Sequence, residues 1–76
     1  MKGNKKMTDA ERNKTEPREH KVTNPYSGKS ELLTATEYAY YFLTKYAERI
    51  EDYNAMQKAM DKFSRLNPKA YMTLLD

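Results

Sequence analysis

Cysteine and tryptophan are absent from this 76-residue chain, and histidine occurs once. Without cysteine there is no disulfide, no thiolate nucleophile and no Cys-based zinc or iron–sulfur site, a composition that suits an intracellular, reducing setting. The single histidine, His20, lies in a polar stretch where nothing fixes its geometry, so a Ser-His-Asp or Cys-His arrangement is not expected. No apolar run approaches the ~20 residues of a membrane span, and no membrane association is expected. The first letters, M-K-G-N-K-K-M-T-D-A-E-R-N-K, are basic but lack the apolar core of a secretory leader.

Glycine is also scarce, with Gly3 and Gly28 as its two occurrences, and this decides one motif. The stretch T-N-P-Y-S-G-K-S, residues 23–30, ends in the G-K-S of a phosphate-binding loop. Such a loop reads G-x-x-x-x-G-K-[ST], with converging backbone N–H groups and a helix directly behind it. Here the first glycine is replaced by Thr23, and Pro25 removes an N–H from the would-be cradle. The residues before it, K-T-E-P-R-E-H-K-V, are not a buried strand. The stretch is expected to be a turn opened by Asn24-Pro25, with Gly28 supplying a permissive φ. Nucleotide binding is not expected.

What the chain does contain is divided unevenly. The net charge of +3 resides in residues 1–24, which hold Lys2, Lys5, Lys6, Arg12, Lys14, Arg18 and Lys21 against four carboxylates. From residue 25 onward the charges balance, and all seven tyrosines and both phenylalanines lie at Tyr26 or later. Residues 1–23 therefore read as a polar basic arm, disordered when free, since it has too little apolar surface to offset its ordering entropy. Within it Thr8-Asp9-Ala10-Glu11 has the form of a capping box and is expected to support only a transient helical turn. Deleting residues 1–22 is expected to leave stability nearly unchanged.

Residues 24–76 read as a small helical module, which places the chain in the all-α class. Thr34-Ala35-Thr36-Glu37 is a second capping box, and Ala39, Leu43, Tyr46, Ile50 and Tyr53 then step by four and three residues along one helix face. Met56, Ala59, Met60, Phe63 and Leu66 continue at helical spacing. The near-continuity of these steps favours one rod; Glu51-Asp52-Tyr53-Asn54, with Asp52 as N-cap, favours a hairpin. The burial requirement selects a hairpin, at about 35–50 and 53–66. Asn67-Pro68 then opens a short C-terminal helix, 68–75, with Tyr71, Leu74 and Leu75 on one side.

No catalytic, cofactor or metal site is expected. Glu48, Glu51 and Asp52 are close in sequence, but Lys45 and Arg49 interleave them as on a solvated helix face. A small helical hairpin also offers no concave pocket for acid–base chemistry or for a small-molecule substrate. The residues expected to meet a protein partner, or a second copy, are Tyr38, Tyr41, Phe42, Tyr46, Tyr71, Leu74 and Leu75. Contacts to nucleic acid, if made, are expected from Lys2, Lys5, Lys6, Arg12, Lys14 and Arg18 in the arm.

The stretches N-P-Y-S-G-K-S-E-L-L-T (24–34) and F-S-R-L-N-P-K-A-Y-M-T-L-L-D (63–76), flanking a tyrosine-rich helix, resemble a group of short tailed-bacteriophage proteins. That group pairs an N-P-x-[ST]-G turn with a closing N-x-x-A-Y-M-x-L-L-D. The resemblance implies a viral origin and expression in a bacterial host cytoplasm, and it carries no catalytic or binding residue. The expected role is that of a small non-enzymatic phage protein, an adaptor or regulator of a phage or host protein. The alternatives are a minor virion component of capsid, neck or tail, and a nucleic-acid accessory protein that uses the arm.

Overall fold

The computed structural model describes residues 7–75. In chain order it contains α1 (Asp9–Thr15), β1 (His20–Thr23), β2 (Ser30–Leu33), α2 (Ala35–Arg49), α3 (Tyr53–Leu66) and α4 (Pro68–Leu74). The protein is thus mostly helical, with one two-stranded antiparallel sheet. The helical hairpin and the short C-terminal helix fall where the periodicity places them.

Residues 36–66 form two helices because the backbone turns sharply at Ile50–Asp52. The Glu51 N–H bonds to the Glu48 carbonyl and the Asp52 N–H reaches the Ala47 carbonyl, the pair of bonds that closes a Schellman motif. Such a motif needs a left-handed residue, and Glu51 occupies that position at φ 61° in place of the usual glycine. Asp52 then caps α3, its side chain accepting from the Ala55 N–H at 3.1 Å. Glu51→Gly is expected to stabilise the chain by about 0.5–1 kcal/mol, since the steric cost of a Cβ here exceeds the extra chain entropy of glycine. Urea denaturation of the variant measures this directly. At the far end of α3, Asn67 closes one helix and opens the next: its N–H bonds to the Phe63 carbonyl and its side chain accepts from the Ala70 N–H. Pro68 at the first turn of α4 fixes the helical φ where no N–H is needed.

Residues 24–29 form the loop of a β-hairpin. Strands β1 and β2 pair with Val22 opposite Glu31 and Thr23 opposite Ser30. The Asn24 side chain accepts from the Tyr26 N–H, the Gly28 N–H returns to the Asn24 carbonyl, and Gly28 sits at φ 77°. The turn chemistry was expected; the strand that follows it was not, and the protein departs from a pure all-α class at this point. Glu31 faces α4, where it accepts from the Thr73 hydroxyl at 3.0 Å and lies 4.0 Å from the Lys69 ammonium. The Asn24 amide donates to the Thr73 carbonyl, so the hairpin is tied to α4 at two levels.

A second correction concerns the arm. Residues 1–6 lie outside the described residues, but residues 8–23 carry α1 and β1 where a disordered or extended segment was expected. The Thr8–Glu11 capping box is fully formed, with both reciprocal bonds present. No residue of α1 is buried, so apolar burial does not hold it in place. Polar contacts to the ends of other helices do. Glu16 accepts from the Thr36 N–H and hydroxyl at 2.9 and 3.0 Å, which satisfies a free donor in the first turn of α2. These bonds, the backbone one foremost, hold the Glu16 carboxyl below the usual carboxylate range. Asn13 accepts from the Thr34 hydroxyl and donates to the Leu66 carbonyl at the end of α3. Arg18 reaches Glu37 at 2.6 Å.

The core is small. Leu33, Phe63, Ala70 and Leu74 form its buried centre, with Val22, Tyr40, Tyr41, Tyr71 and Leu75 packed around them. One element from each side of the chain contributes, so sheet, hairpin and C-terminal helix are mutually dependent.

Candidate functional site

Helix α2 places small and polar side chains at its buried positions, with Tyr40 and Tyr41 packed beside them against the core. Its buried positions are Thr36, Glu37, Thr44 and Ala47, a stripe of small and polar side chains. Glu37 is fully buried; one carboxylate oxygen accepts from Arg18, from the Thr34 N–H at 3.1 Å and from the Asn67 amide at 3.2 Å. Thr44 satisfies its hydroxyl by donating to the Tyr40 carbonyl one turn earlier. The flank beside this stripe, next to Tyr40 and Ala47, is apolar and exposed. Leu43, Tyr46 and Ile50 are about half exposed, at 48, 52 and 53 %. The stripe Ala39–Leu43–Tyr46–Ile50–Tyr53, whose spacing marks it as a packing face, has none of its members buried.

Two aromatic pairs extend this face. Phe42 and Tyr46 stack at 6.3 Å between ring centroids with planes 13° apart. Tyr38 stacks on His20 at 5.2 Å and 19°, which gives the single histidine a packing role at the edge of the sheet. Beside the stripe runs a trough of about 390 Å³ between α2 and α3. Leu43, Tyr46, Ala47 and Ile50 line it from the α2 side and Ala55, Lys58, Ala59 and Lys62 from α3. Neither lysine has an ion-pair partner among the described residues. The trough continues past Tyr40 and Leu43 into a shallower one at the start of α2, where Asp9, Arg12 and Glu16 stand. There the Tyr40 hydroxyl donates to Asp9, and this bond raises the phenol above its ordinary range.

The residues expected to meet a partner therefore separate into two groups. Tyr38, Phe42 and Tyr46 lie on the exposed face. Tyr41, Tyr71, Leu74 and Leu75 pack in or against the core instead: Tyr41 meets Phe63 at 6.1 Å, and Leu74 is 6 % exposed. Helix α4 folds back because its one apolar side matches the gap between β2 and α3. Leu43, Ile50, Tyr53, Lys58 and Lys62 join the exposed surface without having been singled out as contacts. Their signal was the four-and-three spacing, which marks a packing face but not whether its partner lies in the same chain.

Two of the six arm residues expected to meet nucleic acid are engaged within the fold. Arg12 pairs with Asp9 and donates to the Met7 carbonyl, and Arg18 pairs with Glu37. Lys14 is exposed, while Lys2, Lys5 and Lys6 lie outside the described residues. Of the carboxylates near the hairpin turn, Asp52 caps α3 and Glu48 lies 3.6 Å from Lys45. Among the described residues no group of His, Cys, Asp or Glu is arranged to hold a metal, and no helix is long and apolar enough to cross a membrane.

Comparison with protein-family models, with curated proteins and with solved structures returns no match.

Proposed function

We propose that this chain is a small non-enzymatic protein that works through protein–protein contacts, as an adaptor or regulator of a phage or host protein. Its contact surface is the outer face of α2 with the adjoining trough. The observation that carries this reading is the exposed apolar flank of α2. Leu43, Tyr46 and Ile50 repeat at packing intervals yet remain about half exposed. An exposed apolar patch of this extent on so small a chain marks an interaction surface. Neighbouring aromatics and lysines give it the mixed character typical of contact sites. The engagement of Arg12 and Arg18 within the fold weighs against a nucleic-acid role for the arm. The phage origin follows from the resemblance of the 24–34 and 63–76 stretches.

A photo-crosslinking benzoylphenylalanine placed at Tyr46 tests the reading in bacteria that express the chain together with the phage genome. Protein adducts are expected from position 46 on irradiation. Far fewer are expected from Met72, which is exposed on α4 away from this face. Equal yields from both positions, or none from 46, would sink the assignment of the surface.

A further inference from the structure

Helix α1 buries no residue, and carboxylates make the bonds at both of its ends. At its C-cap, Glu16 takes the Thr36 N–H on one oxygen at 2.9 Å and the Thr36 hydroxyl on the other at 3.0 Å. At its first residue, Asp9 accepts from the Tyr40 hydroxyl and pairs with Arg12. Between them Asn13, uncharged at every pH, reaches the Thr34 hydroxyl and, over 3.4 Å, the Leu66 carbonyl. A charged acceptor makes the stronger bonds, and a proton on either Glu16 oxygen removes that charge and occupies a lone pair that a Thr36 donor uses.

Independently of the contact surface on α2, we propose that the charge of Glu16 governs the docking of segment 8–16. The segment lies against the start of α2 while Glu16 is ionised and is released as a unit once that carboxyl takes up a proton, the α2–α3 hairpin staying folded. The surroundings of Glu16 favour its charged form. Thr36 and Thr34 offer donors from the start of α2, and Arg12, one turn back on α1, adds a positive charge. Asp9 and Tyr40 share the shallow trough with Glu16 but bond to each other, and Glu37, next to Thr36, is turned to Arg18. Glu11 is engaged in the capping box with the Thr8 N–H. From α3, Asp61, Lys62 and Arg65 stand near Asp9, with Arg65 paired to Asp61. The bond from the Thr36 N–H, followed by that from its hydroxyl, holds the Glu16 carboxyl below the ordinary carboxylate range. A carboxyl lowered on docking contributes fully above its free value and loses that contribution as the pH falls through its docked value. Release therefore lies on the acid side of the ordinary carboxylate range. Between the free and docked values the docking constant falls about tenfold for each pH unit.

An NMR titration of the full chain, from neutral pH down through the carboxylate range, tests the proposal. The amide shifts of residues 8–16 are expected to move to random-coil values in one step while those of α3 keep their helical values. The Glu16 carboxyl carbon is expected to titrate with the same midpoint. Glu16→Gln, which keeps the shape of the side chain without its charge, is expected to abolish the step. Glu11→Gln, which alters the capping box alone, is expected to retain it. Loss of residues 8–16 together with α3 overturns the proposal, because the transition is then global unfolding. A segment that stays docked after the Glu16 carboxyl has titrated overturns it too, as does a Glu16→Gln chain that shows the parent's step. Should Glu16→Gln be undocked already at neutral pH, the unaltered chain decides the case: coincident carboxyl and amide midpoints uphold the assignment to Glu16, and separate midpoints overturn it.

Discussion

Phe63→Ala is expected to leave the chain largely unfolded at room temperature, with its near-ultraviolet dichroism lost and helix content strongly reduced. Phe63 is fully buried and lies at the point where α3 meets β2, α4 and the Tyr41 ring. Truncation of a buried phenylalanine costs about 3–5 kcal/mol, through lost transfer energy and the cavity left behind. A single core in a chain of this length seldom provides more than about 3–5 kcal/mol in total. The two magnitudes coincide, so one substitution exhausts the margin. Phe63→Leu retains most of the volume and is expected to fold with a lower urea midpoint. A Phe63→Ala variant that melts within a few degrees of the parent would show that stability resides outside the Leu33–Phe63–Ala70–Leu74 cluster.

Removing residues 1–23 is expected to be nearly as damaging, the reverse of what the polar composition of the segment implies. The truncation strips β1 from its ladder with β2 and exposes one side of Leu33, the partner of His20 in the register. It withdraws Glu16 from the Thr36 N–H and Asn13 from Thr34. Above all it removes Arg18 and leaves the carboxylate of Glu37 buried without a counter-charge. Orphaning one member of a buried ion pair costs about 3–5 kcal/mol; because Arg18 is itself half exposed, about 2 kcal/mol is the sounder figure for this pair. With the lost strand added, the truncated chain is expected to melt at least ten degrees lower, since each kcal/mol shifts the midpoint of so small a domain by roughly 4–8 °C. Arg18→Ala in the full chain separates the charge contribution from that of the strand. An unchanged melting curve for the truncation would show that the segment contributes nothing to the fold.

The contrast between these two cases explains how far the sequence could be read. Helices α2, α3 and α4 announce themselves through apolar periodicity and through the caps at Thr34, Asp52 and Asn67, all of which depend on neighbours in sequence. The break at Ile50–Asp52 was only half legible: Asp52 signals the start of α3, but the left-handed residue before it is Glu51, without the glycine that usually marks the motif. The β-hairpin escaped notice because its strands are four residues each and share only Val22, Leu32 and Leu33 as apolar members. The place of α1 could not be inferred at all. Its stabilising partners are the hydroxyls of Thr34, Thr36 and Tyr40 with one amide and one carbonyl at helix ends, all distant in sequence and marked by no local pattern. The exposed aromatic face was partly visible, since Tyr38, Phe42 and Tyr46 stood out by their number and spacing. Separating them from Tyr41, Tyr71 and Leu74 required knowing which side of α2 the small core occupies.

The attachment of α1 through polar groups alone has a consequence for motion. The α2–α3 hairpin joins segments adjacent in sequence, whereas the Asn13–Leu66 bond spans 53 residues. Contacts of that separation form late and open first, because closing the intervening loop costs entropy that few bonds repay. Segment 8–18 is therefore expected to act as a clasp that opens while the hairpin stays closed. Hydrogen exchange is expected to show its amides exchanging ahead of those in α3, with the Thr36 N–H, which Glu16 covers, following the segment.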